Sequence, residues 1–274
     1  MKESLAIITV VYESHEATQD FLRSLEKQSN QNFHLFLADL SKNKKRLKTD
    51  IPMTILPSTN NGYAHGVNVG LKKALGEGFE YFCVINNDTY FNNDFVEKTI
   101  LSILHHPSSI LGGKIYYAPG YEYHKNRYQK SDLGKVFWYA GGQVDWDNVF
   151  TPHRGIDRVD EGQYDRFEKT DFITGCLVVF DKEVIKRVGL WDESYFLYFE
   201  DADYDEKAKR KGINLYYDPS IVIWHKNAQS TGGAGSSLHQ RYQERNRLKF
   251  GLKYAPLKTR LYLIKNYLIK QFKR

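Results

Sequence analysis

The sequence predicts an α/β fold with a mostly parallel sheet covered by helices on both faces. Apolar runs rich in β-branched and aromatic residues alternate with segments whose apolar residues recur at helical spacing, and the connections between them are short. Such strand–helix units build sheets that are buried on both faces, a layout that nucleotide-binding folds also use. In chain order, the predicted elements of the first half are the strand 5–11, the helix 16–28, the strands 34–39 and 53–56, the helix 66–75 and the strand 81–85.

The second half of the chain is less regular. Residues 117–168 are rich in Tyr, Gly and charged residues and show no sustained period, so we expect a long excursion over the functional face. Residues 230–237 are predicted to form a Gly/Ser-rich loop. The elements predicted between these two segments are the strand 172–180, the helices 182–188 and 202–211, and the strands 214–217 and 221–225.

The composition is that of a globular protein with a large core. The chain has 274 residues, of which 41% are hydrophobic, enough for one large or two small domains. No apolar run approaches the roughly 20 residues of a membrane span, and the N-terminus leads straight into a strand without a visible secretory signal. Cys83 and Cys176 lie in separate apolar runs, which predicts buried free thiols in a reducing compartment. These features predict a cytoplasmic protein.

Positive charge is concentrated at the C-terminus. The net charge is +6, but residues 239–274 hold eleven of the 39 Lys and Arg residues and one of the 33 acids, Glu244. This tail therefore carries +10, and the rest of the chain carries −4. A mildly acidic body argues against a protein that binds nucleic acid and indicates a specific role for the tail.

The tail is also predicted to form an amphipathic helix. Cations are interspersed among apolar residues that recur at intervals of three and four and so share one helix face: Leu257, Leu261, Ile264, Leu268 and Phe272. We expect this basic helix to dock on an anionic membrane surface. A helix that packs on the body or on a second subunit is the alternative interpretation.

The most informative motif is Asn86-Asn87-Asp88, which directly follows the apolar strand 81–85. In open α/β sheets, ligands bind outside the carboxyl ends of the strands. A carboxylate at that position can hold a hard divalent cation while substrate phosphates fill other coordination positions. An Asx turn that ends the strand is the alternative interpretation of this triplet.

Two further segments indicate a nucleotide site. Asp39 ends the strand 34–39, where its carboxylate can accept the imide N–H of a uracil or thymine ring, although strand-end Asp residues also cap turns. Small residues between Asn61 and Gly70 open a helix, and glycines there let a ligand approach a helix N-terminus that favours phosphate. The spacing differs from that of a P-loop, so a tightly packed turn is the alternative.

Two motifs downstream add titratable groups. Glu200 and Asp201 lie at the start of a predicted helix, where a carboxylate can act as a general base toward an attacking hydroxyl or can simply cap the helix. His225 ends the strand 221–225 and can complete a metal site with Asp88, although a lone His at a strand end is usually structural.

Together these segments resemble the family 2 glycosyltransferases of the GT-A fold, and most closely the bacterial rhamnosyl- and galactofuranosyltransferases. The resemblance covers most of residues 5–250 and consists of short motifs in the family's order. These motifs are Asn61-Gly62-Tyr63-Ala64 with Gly66, Asn68 and Gly70, Asn86-Asn87-Asp88-Thr89, Thr174-Gly175-Cys176, Gly189-Leu190-Trp191-Asp192-Glu193, Phe199-Glu200-Asp201-Ala202-Asp203, Trp224-His225-Lys226 and Arg245-Asn246. One departure is Asn86, because the family often has Asp there and an amide oxygen is a poorer metal ligand.

The resemblance implies a role for each of these residues. It implies that Asp201, or its neighbour Glu200, is the catalytic base, and that Asp88 and His225 hold a Mg or Mn ion on the pyrophosphate of the donor. The residues that it implies for binding the nucleotide-sugar donor are Asp39 at the base, Arg245 near the diphosphate, and Asn61, Gly62, Asn68 and Asn87.

The implied activity is the inverting, metal-dependent transfer of rhamnose or another hexose from a dTDP- or UDP-sugar. The acceptor would be a cell-surface polysaccharide or a lipid-linked glycan, reached at the inner face of the bacterial plasma membrane. A single base without a protein nucleophile implies inversion. The implied organisation is a GT-A domain over residues 1–238, with a nucleotide-binding half 1–116 and an acceptor half 117–238, followed by the basic tail 239–274.

Two other classes of protein share some of these features. A non-catalytic protein of the same fold could hold a nucleotide or a glycan, but it has little need for all four of Asp39, Asp88, Asp201 and His225. A sugar-phosphate nucleotidyltransferase carries a Gly- and Arg-rich loop after its first strand, whereas Val11-Tyr12-Glu13-Ser14 follows it here.

Overall fold

One mixed sheet organises the described part of the chain, which comprises residues 4–226 and 237–272 of the computed structural model. Its strands are β1 (Leu5–Val11), β2 (Phe33–Asp39), β3 (Met53–Pro57), β4 (Tyr81–Ile85), β5 (Thr89–Phe91), β6 (Ser109–Tyr117), β7 (Phe137–Tyr139), β8 (Glu168–Lys169), β9 (Leu177–Asp181) and β10 (Asn214–His225). The helices are α1 (His15–Glu26), α2 (Tyr63–Gly76), α3 (Phe95–His105), α4 (Lys182–Val188), α5 (Glu200–Arg210), α6 (Ser237–Tyr254) and α7 (Leu257–Phe272).

The first half of the sheet is parallel, as predicted. Among the described strands the order is β3-β2-β1-β4-β9-β6-β10-β5, with β7 beside β6 and β8 beside β10. β3, β2, β1 and β4 run parallel, whereas β9 is antiparallel to its neighbours β4 and β6, and β5 is antiparallel to β10. The sheet is therefore mixed rather than mostly parallel. A strand buried on both faces has the same apolar pattern in either direction, so the pattern does not reveal where the direction reverses.

Helices cover both faces of the sheet, as predicted. On one face, α1 and α6 contribute Phe21 and Phe250 to a core cluster. On the other face, α2 and α5 contribute Leu71 and Tyr204 to a second cluster. Helix α6 is therefore part of the core, although it belongs to the predicted basic tail. None of the helices in the described ranges combines the length and apolar character that crossing a membrane requires.

Several predicted boundaries change in the structure. The strands predicted over 214–217 and 221–225 are one strand, β10, because a register shift between Asp218 and Val222 accommodates the intervening proline. The strand predicted from residue 172 begins only at Leu177. The predicted helical tail consists of two helices, because Pro256 separates α6 from α7, and the residues predicted to share one helix face belong to α7.

The remaining predictions about organisation have mixed outcomes. Cys83 and Cys176 are buried free thiols, as predicted. The excursion 117–168 contains only the short strand β7 before β8 begins at its end. Most of the predicted loop 230–237 lies outside the described residues. The division into a nucleotide-binding and an acceptor half stays a prediction.

Candidate active site

The candidate site lies where three strands end. β2 ends at Asp39, and Asn86-Asn87-Asp88 follows β4. β1 lies between these two strands and runs parallel to both, so the two ends lie at the same edge of the sheet. His225 is the last residue of β10 and pairs with Thr89 in the short antiparallel strand β5, which directly follows Asp88. This strand pairing brings His225 next to Asp88, although the two residues are far apart in the sequence.

Asp88 and His225 form a buried pair. His225 Nε2 lies 3.1 Å from Asp88 Oδ1, and both residues are almost completely buried. The Lys226 main-chain N–H donates to the Asp88 carbonyl oxygen at 2.9 Å, which joins the two loops. Burial lowers the pKa of His225, but Cys176 and Asp88 raise it by more, so the pKa lies well above its usual value. A cation that bound here would displace the imidazole proton, which makes metal affinity pH-dependent.

This pair fits a divalent cation as a site with two protein ligands. A carboxylate oxygen and an imidazole nitrogen are common metal donors. The described residues contain no group of three or more His, Cys, Asp or Glu side chains suited to a metal ion. Diphosphate oxygens and water would therefore fill the other coordination positions. The amide oxygen of Asn86 uses one of its two lone pairs to accept a hydrogen bond from the Tyr63 hydroxyl at 2.9 Å.

Hydrogen bonds through a central turn connect the strand-end triplet to the acidic start of α5. The Tyr63 hydroxyl that donates to Asn86 also lies 2.9 Å from the Gly175 carbonyl oxygen. The Gly175 N–H donates to Asp201 Oδ2 at 2.9 Å. The Asn86 N–H donates to the carbonyl oxygen of Cys176 at 3.0 Å. The turn at 174–176 therefore connects the strand-end triplet that contains Asp88 to the candidate base Asp201.

The two acids that begin α5 have different environments. Glu200 is 6% exposed, and its Oε2 has no hydrogen-bond partner among the described residues. Burial and the negative charge of Asp201 raise the pKa of Glu200 well above its usual value. Asp201 is half-buried and accepts the N–H groups of Gly175 and Ala202. Burial also raises the pKa of Asp201, although these two hydrogen bonds lower it. Asp201 is thus the more accessible and better stabilised carboxylate.

The turn before α5 adopts an uncommon backbone conformation that α6 supports. Tyr198 and Phe199 both have φ of 68°, in the left-handed region that non-glycine residues rarely adopt. Asn246 on α6 is buried, and its side-chain amide donates to the carbonyl oxygens of Leu197 at 2.8 Å and Tyr198 at 3.0 Å. Its neighbour Arg245 is exposed, and the contact of Arg245 with a diphosphate stays a prediction.

Asp39 borders a cavity of about 210 Å³. The Asp39 Oδ1 atom accepts the Ser41 N–H at 3.0 Å, which fixes the carboxylate. Val11 and Leu37 provide apolar wall, and the basic segment 44–46 lines the same cavity. An apolar wall with a buried carboxylate and nearby cations suits a heterocyclic base that carries phosphates.

The first residues of the 61–70 segment are shaped by packing. Gly62 has φ of +102°, and a Cβ there would clash with the main chain of Phe196. Only glycine therefore fits at this position. Asn61 is exposed, and its amide donates to Thr59 Oγ1 at 3.1 Å. A contact of Asn61 or Gly62 with the donor stays a prediction.

Two other predicted donor-binding residues are buried and use their amide groups within the protein. Asn68 exchanges hydrogen bonds of 2.9 and 3.0 Å with the main chain of Trp191, which attaches α2 to the loop before α5. Asn87 donates to Ser14 Oγ at 2.8 Å and to Thr18 Oγ1 at 2.7 Å at the start of α1. These bonds position the loops of the site, and direct contact of either amide with a nucleotide stays a prediction.

Sequence reasoning missed Trp138, which lies beside the buried pair. The centroid of its ring lies 4.6 Å from that of His225, with the planes at 78°. Trp138 belongs to β7, inside the excursion 117–168, and the apolar run 136–140 is the signal that could have identified a strand there. A half-buried aromatic ring at this place suits contact with a sugar ring.

Comparison with known sequences gives an uncharacterized relative and two relatives that are named as rhamnosyltransferases. An uncharacterized protein of Mycobacterium tuberculosis is 24% identical over 241 residues, 86% of this chain and 80% of that protein. The N-acetylglucosaminyl-diphospho-decaprenol L-rhamnosyltransferase of the same species is 22% identical over 246 residues, 85% of this chain and 79% of its own. The dTDP-rhamnosyl transferase RfbF of Shigella flexneri is 22% identical over 166 residues, 61% of this chain and 49% of its own.

The fold also matches a solved structure. The crystal structure of GalNAc-T7 with UDP, GalNAc and Mn2+ superposes with a TM-score of 0.63 at 14% identity. The match covers 88% of this chain and 47% of the GalNAc-T7 chain, so this protein spans about half the length of GalNAc-T7. Identity this low shows the shared GT-A fold and nothing more specific.

The family is shown by the sequence itself. The sequence model of the family described as "Glycosyl transferase family 2" matches residues 6–189, more than half of the chain, and this stretch includes Asp39, Asp88 and Gly175. The resemblance predicted from the short motifs is confirmed, and with it the GT-A fold and the enzyme class. The chain belongs to glycosyl transferase family 2 and is a glycosyltransferase.

Proposed function

We propose that this enzyme is an inverting, metal-dependent hexosyltransferase that moves rhamnose or another hexose from a dTDP- or UDP-sugar to a glycan. The observation that carries the proposal is the arrangement at one edge of the sheet. The turn around Gly175 connects Asp201 to the strand-end triplet that contains Asp88, Asp88 pairs with His225, and the Asp39 cavity opens at the same edge.

The donor is bound by complementary groups in this arrangement. The Asp39 carboxylate accepts the imide N–H of a uracil or thymine ring, and the basic segment 44–46 offsets the negative charge of the phosphates. Asp88 and His225 are the two protein ligands of the divalent cation. When bound, this cation offsets the negative charge that develops on the departing diphosphate. The crystal structure of GalNAc-T7 was determined with UDP and Mn2+, which supports such a cation in this fold.

Asp201 serves as the base that deprotonates the acceptor hydroxyl. Its raised pKa makes the ionised carboxylate a stronger proton acceptor. The hydrogen bonds from Gly175 and Ala202 fix its orientation while the group remains accessible. Glu200 is more deeply buried and therefore harder for an acceptor to reach. A base that acts on the acceptor, without a protein nucleophile, gives inversion at the transferred sugar carbon.

We further propose a lipid-linked glycan as acceptor, at the inner face of a bacterial plasma membrane. The name of one relative specifies a diphospho-decaprenol substrate, and those of two specify rhamnosyl transfer. A polyprenyl chain cannot leave the bilayer, so an enzyme that uses it has to work at the membrane surface. A polysaccharide destined for the cell surface is the other acceptor class that fits a hexosyltransferase.

A donor screen tests the proposal. Purified full-length protein is incubated with dTDP-rhamnose and with other dTDP- and UDP-hexoses in Mn2+, in Mg2+ or in EDTA, and free nucleotide is measured. We expect one donor to release its nucleotide only when the divalent cation is present. Nucleotide binding by calorimetry without release from any donor would contradict the proposal and would indicate a binding protein.

The variant Asp39→Ala tests the assignment of the nucleotide cavity. Its contact with the base would be made equally in the ground and transition states, so we expect weaker donor affinity and an unchanged turnover of bound donor. Asp50→Ala, at an exposed position before β3, is the matched control. An unchanged affinity for dTDP and UDP in Asp39→Ala would leave Asp39 as a turn residue.

A further inference from the structure

We propose that helix α7 is a docking surface for an anionic lipid bilayer. The surface consists of four residues, Leu257, Leu261, Ile264 and Leu268, which we call the apolar stripe. At 3.6 residues per turn these four lie on one side of the helix. They are 71%, 58%, 43% and 49% exposed, respectively, among the described residues.

The apolar stripe points away from the protein body. α7 packs through a different side, on which Thr259 and Leu263 are 6% and 8% exposed. Leu263 sits directly on Gly251 of α6, where even a Cβ would clash with it. The helical period places this packed side roughly opposite the stripe. The protein body therefore covers the side of α7 that carries Thr259 and Leu263 and leaves the apolar stripe in solvent. An exposed apolar patch of this kind is typical of an interaction surface.

Charge favours a bilayer over a second copy of this chain as the occupant. Lys258 and Lys265 are exposed and lie along one border of the stripe, and no acid follows Glu244 in the sequence. In a symmetric antiparallel dimer through the stripe, the same lysines of both copies would meet along one border of the interface and repel each other. Anionic headgroups would instead neutralise them while the aliphatic side chains enter the acyl region.

The flanks of the helix also suit a membrane interface. Tyr262 and Tyr267 lie on the two sides between the stripe and the packed face and are about half exposed. Tyrosine rings have an apolar body and a polar hydroxyl, which fits the headgroup level. Arg260 turns back and donates to the Ala255 carbonyl oxygen at 2.6 Å, which fixes α7 relative to the end of α6. The docking surface is thus held at a defined angle to the catalytic domain.

The proposed docking is inferred from the geometry and charge of α7 alone. The purpose of docking, which is to bring the active site to a lipid-linked acceptor, rests on the proposed function. Failure of the donor screen would leave the docking surface untouched, and failure of docking would leave nucleotide release untouched. The two proposals are therefore separable by experiment.

Vesicle co-sedimentation of the full-length protein tests the docking surface. We compare vesicles of phosphatidylcholine with vesicles that also contain phosphatidylglycerol. We expect pelleting only with the anionic vesicles, and less of it at high salt because salt screens surface charge. Lys258→Gln/Lys265→Gln is expected to weaken binding roughly 30-fold, the loss expected when two cations are removed near an anionic surface.

A matched pair of variants separates the stripe from general surface effects. Leu261→Glu/Leu268→Glu changes two exposed stripe residues and should abolish pelleting. Leu101→Glu/Leu104→Glu makes the same change at two exposed residues of α3 and should pellet like the native protein. Thermal melting checks that all variants are folded. Equal pelleting of the stripe variant, or no pelleting of the native chain, would overturn the proposal. A dimer in solution that only the stripe variant dissociates, without vesicle binding, would assign the stripe to a second copy.

Discussion

At the residue scale, burial sets the chemical character of the two acids that begin α5. Burial raises the pKa of both Glu200 and Asp201 above their ordinary values. A carboxyl group with a raised pKa contributes stability below its unfolded-state pKa, and that contribution is lost as the pH rises through the folded-state pKa. Above their unfolded-state pKa values, these two acids therefore lower the stability of the fold. This loss of stability comes from the same two carboxylates that are candidates for proton transfer, a reaction in which a more basic carboxylate is useful.

Neutralising the proposed base should separate catalysis from stability. Asp201→Asn is expected to keep donor binding, to lose roughly 100-fold or more in turnover, and to melt at a higher temperature at neutral pH. Glu200→Gln, the matched variant, should also melt higher but lose less turnover. Turnover of the native enzyme should rise with pH through a pKa above the usual carboxylate range. Steady-state kinetics and thermal melting measure these effects. If Glu200→Gln proves the more damaging change, then Glu200 is the base.

The proposed metal ligand gives a second prediction at this scale. Asp88→Ala should abolish the stimulation by divalent cations and sugar transfer together. The fold should tolerate the change, because removing the carboxylate takes away one of the two groups that raise the pKa of His225, and burial then favours the neutral imidazole more strongly. Nucleotide release across a Mn2+ titration measures the effect. Asp94→Ala, which removes an acid of an exposed ion pair with Lys98, is the control. Full activity of Asp88→Ala would exclude the assignment of this carboxylate to a metal.

At the scale of elements, α6 supports the segment that holds the proposed base from outside the sheet. The left-handed conformations of Tyr198 and Phe199 direct the chain into α5, and such backbone states persist only where the surroundings stabilise them. The Asn246 amide provides this support through its two hydrogen bonds to the preceding main chain. The Lys253 ammonium adds a 2.7 Å contact to Asp203, one turn into α5. The basic tail thus has a structural role within the catalytic domain.

Asn246→Ala should reveal this positioning role in the kinetics. The part-buried carbonyl groups of Leu197 and Tyr198 lose their donor, which costs about 1–3 kcal/mol of stability. We expect kcat to fall roughly tenfold or more, because a displaced base is poorly oriented, while KM for the donor stays unchanged. Leu263→Ala is the control, since it also destabilises the C-terminal helices but does not touch the turn. Equal kcat values for the two variants below their melting temperatures would show that Asn246 only stabilises the fold.

At the scale of the whole molecule, the two tail helices differ in how far they belong to the core. Phe250 and Tyr254 of α6 are buried in the same cluster as the strands, whereas among the described residues α7 adds Leu263 to that cluster. The break between the helices at Pro256 coincides with this change. The molecule therefore consists of a catalytic body that includes α6, with α7 as a surface attachment.

Truncation distinguishes these two roles. A chain that ends after Ala255 should fold and release nucleotide from its donor, with a stability loss of about 1.5–3 kcal/mol for the burial of one leucine. A chain that ends after residue 236 should not fold stably, because it lacks the Phe250 and Asn246 side chains that fill and support the core. Circular dichroism and thermal melting measure both. Unfolding of the longer of these two chains would mean that α7 is an integral part of the body.

Local patterns in the sequence determined much of the fold and indicated the candidate site. The strands β1 and β4 and the helix α4 have the predicted bounds, because each is a short apolar or amphipathic run between clear turn signals. The motif residues Asp39, Asp88 and His225 were expected at strand ends, and each is the last residue of a strand or lies just after one. The order of these motifs was also sufficient to indicate the family.

Only the tertiary structure decided which of these groups meet and which are already used. The pairing of β10 with β5 places His225 against Asp88, and the turn at Gly175 joins the strand-end triplet to Asp201. Tertiary packing also engages the amide of Asn68 within the protein. The physical reason is that local sequence sets the conformation and the apolar face of a segment, whereas strand direction, register and side-chain pairing depend on contacts between distant segments.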